Sequence, residues 1–388
     1  MAINPFTRTA LDTYIEERPT RPMIQQSYLW PELFPLKRVN AYKISWDMKR
    51  HQSHLAGIYA HDGTPYPGQD SDYLSRAQDI MHVMAARTLH PNTIMQLRDI
   101  GELGVADNSS LAQRTKSTVM EKVMEKTATC QDEVEAVLEY LAMQAITGTI
   151  VWPPTGISPA PSYWGNVSLP AGGLSMGFRS NFVQAASTLV GANSRAGTQV
   201  PWGTVATANP VKDLEVIAEL IEETTGLNAW NSTLIMSRGI LSLMAEHSST
   251  LQWIRGTNGP APDSQQGLLD MSALKTSIQT RLGYNIRLYD AQWTYGSSQN
   301  SQTGKTETRV RFMDRKYILI IPNGAISGGL TYMACAPDLG APNGENLGLY
   351  TWTWKDDRPP WTHEMGCGIH AWPVIKDSES IFLFDCLN

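Results

Sequence analysis

The sequence predicts an α+β fold organised around one very long helix, and three observations carry that expectation. Residues 113–147, QRTKSTVMEKVMEKTATCQDEVEAVLEYLAMQAIT, repeat apolar side chains at helical spacing without a break. Residues 41–90 read as a long β-hairpin, with strand formers on both sides of the dense turn cluster HDGTPYPGQDSD at 61–72. Short apolar runs such as YILII and IFLFD recur in the last third of the chain, at strand length and bounded by turn residues.

Taken in order, residues 1–40 form an arm. Pro19, Pro22, Pro31 and Pro35 prevent a long helix there. The arm nevertheless carries Tyr28, Leu29, Trp30, Leu33 and Phe34, apolar residues that imply it lies on another surface, its own or a neighbour's. In the hairpin, AYKISWDMKRHQSHLAGIYA leads out and YLSRAQDIMHVMAART returns. The helix at 113–147 places Val119, Val123, Cys130, Val134, Val137, Leu138, Leu141 and Ala145 on one stripe, with Glu121, Lys122, Glu125 and Lys126 opposite and Gly148 as the stop. Such a helix is a spine on the order of 46 Å. Residues 149–210 are Pro- and Gly-rich, with strands in NVSLP and GLSMGFRSNFVQAAST. A second helix follows in NPVKDLEVIAELIEETTGLNAW, turning Leu214, Ile217, Ala218 and Ile221 inward. STLIMSRGILSLMAEHSST joins a strand to a short helix. GYNIRLYDAQWTY, TRVRFMDRKYILIIPNG, GLYTWTWKDD and GIHAWPVIKDSESIFLFDCLN complete the set of strands.

The chain has 388 residues, 42% hydrophobic and 18% charged, a composition that can build a large core. The net charge of −6, from 37 acids and 31 bases, argues against a direct grip on nucleic acid, which needs clustered Lys and Arg. No stretch reaches the ~20 apolar residues of a transmembrane helix, and the first residues carry no signal-peptide run, so the expectation is a protein made in the cytoplasm and away from membranes. The four cysteines, Cys130, Cys335, Cys367 and Cys386, form no CxxC pair and read as reduced, buried thiols.

One stretch invites a chemical reading. WTHEMGCGIHAW, residues 361–372, brings His363, Cys367 and His370 close together in sequence. Three ligands at loose spacing leave a zinc ion without its fourth, unless Cys386 supplied it from afar. A Cys–His nucleophile pair lacks an orienting third residue. The expected structure is a Gly-containing turn between two strands, with His and Cys packed among Trp352, Trp354, Trp361 and Trp372. His51, His54, His61 and His82 match no common ligand spacing. There is no HExxH, no GxxxxGK[ST] and no GxSxG. The reading therefore assigns no catalytic residue, no metal and no cofactor.

The series of segments carries a resemblance. Arm, long hairpin and spine helix are followed by LIEETTGLNAWNSTLIMSRGILSLM, then YILIIPNG, then LYTWTWKDDRPPWTHEMGCGIHAWPVIKDSESIFLFD. In this order over nearly the whole chain, the sequence resembles the major capsid proteins of tailed bacteriophages, in particular the lambda-like major capsid protein E family. The resemblance implies the Hong Kong 97 phage fold: an N-terminal arm (1–40), an E-loop hairpin (41–90), a P-domain (91–206) with the spine helix, an A-domain (207–345) and a C-terminal return to the P-domain (346–388). It implies a shell subunit that assembles into pentamers and hexamers of an icosahedral head in the virion. That head would enclose double-stranded DNA without sequence-specific binding, with scaffolding, portal and decoration proteins as possible partners. No scaffolding segment is evident at the N-terminus, so any scaffold would be a separate chain, and no crosslinking Lys or Asn can be placed. The expected contacts between subunits are Tyr28, Trp30 and Phe34 on the arm and Tyr42, Ile44, Trp46, Ile58 and Tyr59 on the hairpin. The rival readings are a tail or portal component, and a metal-dependent or cysteine enzyme centred on 361–372.

Overall fold

A computed structural model describes residues 28–49, 73–89, 110–154, 169, 173–176, 183–190, 196–225, 229, 232–255, 271–296, 307–321, 331–337, 348–355, 363–376 and 381–388. The chain begins with a one-turn helix α1 (Trp30–Leu33), then β1 (Leu36–Arg38), β2 (Lys43–Lys49), β3 (Tyr73–Asp79) and β4 (Met81–Leu89). The long helix α2 (Ser110–Ile146) leads to β5 (Thr149–Ile150), β6 (Leu174–Ser175) and β7 (Val183–Ala185). Next come α3 (Pro210–Thr225), β8 (Thr233–Met236), α4 (Arg238–Glu246), α5 (Ser248–Arg255) and α6 (Met271–Leu282). The strands β9 (Asn285–Leu288), β10 (Gln292–Gly296), β11 (Glu307–Arg311), β12 (Tyr317–Ile321), β13 (Thr331–Ala336), β14 (Tyr350–Lys355), β15 (His363–Ile375) and β16 (Phe382–Asp385) finish it.

Helix α2 is the predicted spine, begun three residues earlier and ended one earlier than the sequence indicates. At ~1.5 Å per residue it is about 55 Å long. It stops where Gly148 adopts φ 93°, a backbone that a residue with a Cβ adopts at a cost. Val123, Cys130, Val134, Leu138, Leu141 and Ala145 are buried as the periodicity requires, while Val137 is only half-buried. The same seam also buries Thr127, Gln131, Glu135 and Glu139. Each of these residues makes a hydrogen bond, locally or across the core. Thr127 donates to the Val123 carbonyl (2.9 Å), and Gln131 donates to Glu135 (3.1 Å).

The helix lies against β15 and β4 of a five-stranded sheet. β15 is its central member. One edge carries β13 and β14 end to end, pairing with residues 370–375 and 363–368, and the other edge carries β4 along 363–371. The sequence WTHEMGCGIHAW therefore does not turn. From His363 onward it is part of a continuous 13-residue strand, because partners on both edges hold the backbone extended through Gly366 and Gly368.

The second sheet runs β7-β16-β12-β8-β9. Its central strands β8, β12 and β16 are mostly apolar and alternate between two cores. Ile318 and Ile320 join Leu234, Met236, Phe382 and Phe384 against the helices, while Leu319 and Ile321 join Ile235 and Leu383 on the side of the long helix. A strand covered on both faces reads as a continuous hydrophobic run rather than an alternating one.

The strand pairing bears on two expectations. The boundary of the predicted A-domain (207–345) and C-terminal return (346–388) does not follow the sheets. β13 belongs to the first sheet, and the C-terminal β16 to the second, beside β7 from the predicted P-domain. Strand pairing is long-range, and position along the chain does not reveal it. The arm residues Tyr28, Trp30 and Phe34 are largely buried against their own subunit. Tyr28 meets Phe312 edge-on at 5.5 Å, β1 adds in parallel to β13, and Thr331 donates to the Leu33 carbonyl. The four prolines ruled out a long helix, not a docked single turn with Pro31 in its first turn.

Candidate assembly surface

The first sheet has one face against the helix and one that is not covered by it. Register places Tyr350, Gly368 and Met84 in one row, Trp352, Gly366 and Ala86 in the next, and Trp354, Glu364 and Thr88 in the third. Side chains alternate along each strand, so these rows share a face, while Met365, Cys367, Ile369 and Ala371 point to the helix side, where they are buried. On the outer face Trp354 is 59% exposed and Met84 57%. They stand on opposite edge strands two rows apart, so this face carries large apolar groups in solvent at more than one place.

The glycines are explained by this face. A Cβ on Gly366 would run into the Trp352 ring and stand 2.7 Å from the Ala85 carbonyl oxygen. On Gly368 it would stand 2.8 Å from the Tyr350 hydroxyl and 3.2 Å from the Val83 carbonyl oxygen. The rings of β14 lie across the two glycines and cover backbone that has no side chain of its own.

At one end of the face the hairpin leaves the body. β2 and β3 pair from Lys43↔Asp79 to Lys49↔Tyr73, and the Ile80 amide donates to the Tyr42 carbonyl (2.7 Å). The return leg predicted as one strand is divided at Ile80: β3 stays with the hairpin and β4 joins the sheet. Beside this root, His82 and His370 are direct cross-strand partners with stacked rings, 4.1 Å between centroids and 20° between planes. Tyr42 stands nearly perpendicular to His370 at 5.1 Å and donates to the Pro337 carbonyl (2.8 Å). Tyr350 contacts Nε2 of His82 through its hydroxyl.

The chemical reading of 361–372 is dispersed by the strand. His370 and Cys367 differ in parity and point to opposite faces, and His363 stands four residues, about 13 Å, from Cys367. All four cysteines are free and buried, and burial pushes the thiols of Cys130 and Cys386 up to about 11 and about 12. Among the described residues no group of three or more His, Cys, Asp or Glu side chains is placed to hold a metal ion, and no helix is long and apolar enough to cross a membrane.

Of the residues predicted as contacts between subunits, Tyr42 is exposed (38%) at the hairpin root. Ile44 and Trp46 are buried in the subunit's own core. The hairpin strand β2 alternates its faces and lays this one on the body. Ile58 and Tyr59 lie outside the described residues. Sequence reasoning missed Met84 and Trp354, although the alternation in LYTWTWK already put Tyr350, Trp352 and Trp354 on one face.

No family model and no curated protein matches the sequence. Solved structures do. A chain assigned as the capsid protein of a prophage in E. coli CFT073 superposes with a TM-score of 0.52 at 11% identity, covering 99% of this chain and 99% of that one. A phage-related protein from Bordetella bronchiseptica RB50 gives 0.48 at 12% identity, covering 98% and 97%. The first of these carries the assignment: from end to end, the chain has the Hong Kong 97 phage-type capsid fold that its sequence resembles.

Proposed function

We propose that this chain is a major capsid protein, a structural subunit that self-assembles into pentamers and hexamers of an icosahedral phage head around double-stranded DNA. The observation that carries the reading is the extent of the likeness: the prophage capsid chain is matched over 99% of its length, with neither chain having an unmatched module. Two features of the subunit fit it. A two-stranded hairpin is marginal on its own in water, and past the core residues Ile44 and Trp46 the pairing of this one continues to Lys49↔Tyr73. The outer sheet face holds Met84 and Trp354 in solvent. In a shell the hairpin of one copy, residues 41–79, lies over that face of its neighbour and removes both from water. The net charge of −6 suits a wall that must enclose DNA without adhering to it. Synthesis in a host cytoplasm, residence in the virion, and scaffolding, portal and decoration proteins as further partners belong to the same proposal.

Electron microscopy of the purified protein tests it. Closed icosahedral shells, or five- and six-fold rings, are expected. A chain that stays monomeric at high concentration in the presence of crowding agents overturns the proposal.

A further inference from the structure

One end of the outer sheet face combines an open aromatic ring with a carboxylate. Trp354 on β14 and Glu364 on β15 are direct cross-strand partners, and Thr88 of β4 completes their row. Side chains so placed share a face, with their Cβ atoms about 5 Å apart. Trp354 is largely exposed and Glu364 half-buried. A carboxylate partly withdrawn from water, beside the negative face of an indole, offers a cation a charge-assisted hydrogen bond and a ring contact together.

Two cations near this row are engaged elsewhere. Arg87 pairs with Glu133 of the long helix, on the other side of the sheet. Lys126 donates to the Thr88 carbonyl (2.6 Å). The subunit's own hairpin does not lie along this end, because Met84, which stands between the hairpin root and the Glu364 row, is 57% exposed. Past Ile44 and Trp46, β2 runs on through Met48 and Lys49, and the sequence continues with Arg50 and His51. No acid occurs from Met48 to His61, and those of the turn cluster come later, at Asp62, Asp70 and Asp72. The outgoing leg of the hairpin is therefore basic, opposite in sign to Glu364.

We propose that Trp354 and Glu364 form a cation receptor on each subunit, and that its occupant is the Lys49–Arg50 step on the hairpin of a second copy of this chain. A guanidinium suits the receptor, since it can stack on the indole while its N–H groups bind the carboxylate in a fork. Bringing the cation in offsets the hydration that Glu364 has already lost and covers the Trp354 ring. The ion pair also fixes the register of one hairpin on the next sheet, which apolar contact alone does not do. The assignment rests on the capsid reading, because it needs copies of the chain to associate through this face.

The test uses the full chain, with self-association followed by sedimentation velocity and electron microscopy. Glu364→Lys, and separately Lys49→Glu with Arg50→Glu, should each raise the concentration needed for association about tenfold. One chain carrying all three changes restores opposite charges and should return to within about threefold of wild type. That restoration separates a lost contact from a damaged fold. Trp354→Phe keeps an aromatic face and should associate more tightly than Trp354→Leu, which is apolar without one. Association that ignores charge reversal, a triple variant no better than either parent, or equal association of Trp354→Phe and Trp354→Leu overturns the receptor and leaves the capsid reading standing. A wild-type chain that never self-associates overturns both.

Discussion

The carboxylate of Glu139, two turns before the end of the long helix, accepts a hydrogen bond from the backbone amide of Trp30 at 2.8 Å, across 109 residues of sequence. It also accepts from the Leu29 amide (3.0 and 3.1 Å to its two oxygens) and from the Tyr289 hydroxyl. One buried side chain thus caps the arm's single helical turn, ties it to the spine and reaches the loop after β9. The amides at a helix N-terminus are orphan donors, and a carboxylate is their best partner. Removing it leaves donors buried and unsatisfied. Glu139→Ala should lose about 3 kcal/mol in denaturant unfolding of the free subunit.

The same residue predicts a pH dependence. Burial raises the Glu139 pKa, partly opposed by the hydrogen bonds from Tyr289, Trp30 and Leu29. A folded pKa above the unfolded one means that the native state holds the proton more tightly. The stabilisation is then fully present below the unfolded value and is lost as pH rises through the folded one. Relative to Glu139→Gln, whose side chain does not titrate, the wild type should lose stability as pH rises from about 4 toward neutrality. Parallel stability curves for the two proteins would contradict the shift.

Gly366→Ala places a methyl group against the Trp352 ring and the Ala85 carbonyl. Backbone on one side and an indole on the other leave little room to yield, so the cost should be about 1–3 kcal/mol. Gly203→Ala is the control, since a Cβ there meets nothing within 4 Å. Thermal melts of the two variants should diverge.

Val134→Asp or Leu138→Asp puts an unpaired charge into the helix seam, where both side chains are essentially fully buried. The penalty of several kcal/mol should abolish soluble expression. Wild-type yield and melting would show that the seam opens.

Met84→Ser with Trp354→Ser changes the outer sheet face and nothing beneath it. Stability should stay within about 0.5 kcal/mol of wild type. Shell or ring formation should be lost in electron micrographs, because the apolar surface offered to the neighbouring hairpin is gone.

Local patterns were legible in the sequence. The stripe from Val123 to Ala145 announced the spine, YILII and IFLFD announced buried strands, and the order of segments carried the capsid resemblance. What remained hidden was long-range. Nothing near Trp30 or Phe34 says that their partners are Glu139, Phe312 and β13, so the sequence left open which surface the arm covers. Nothing near Gly366 says that strands on both edges will hold it extended, so a strand read as a turn. Periodicity reports which face of an element is apolar. Which distant segment covers that face is decided only when the folded chain brings them together, since pairing and burial are properties of contacts rather than of neighbours in sequence.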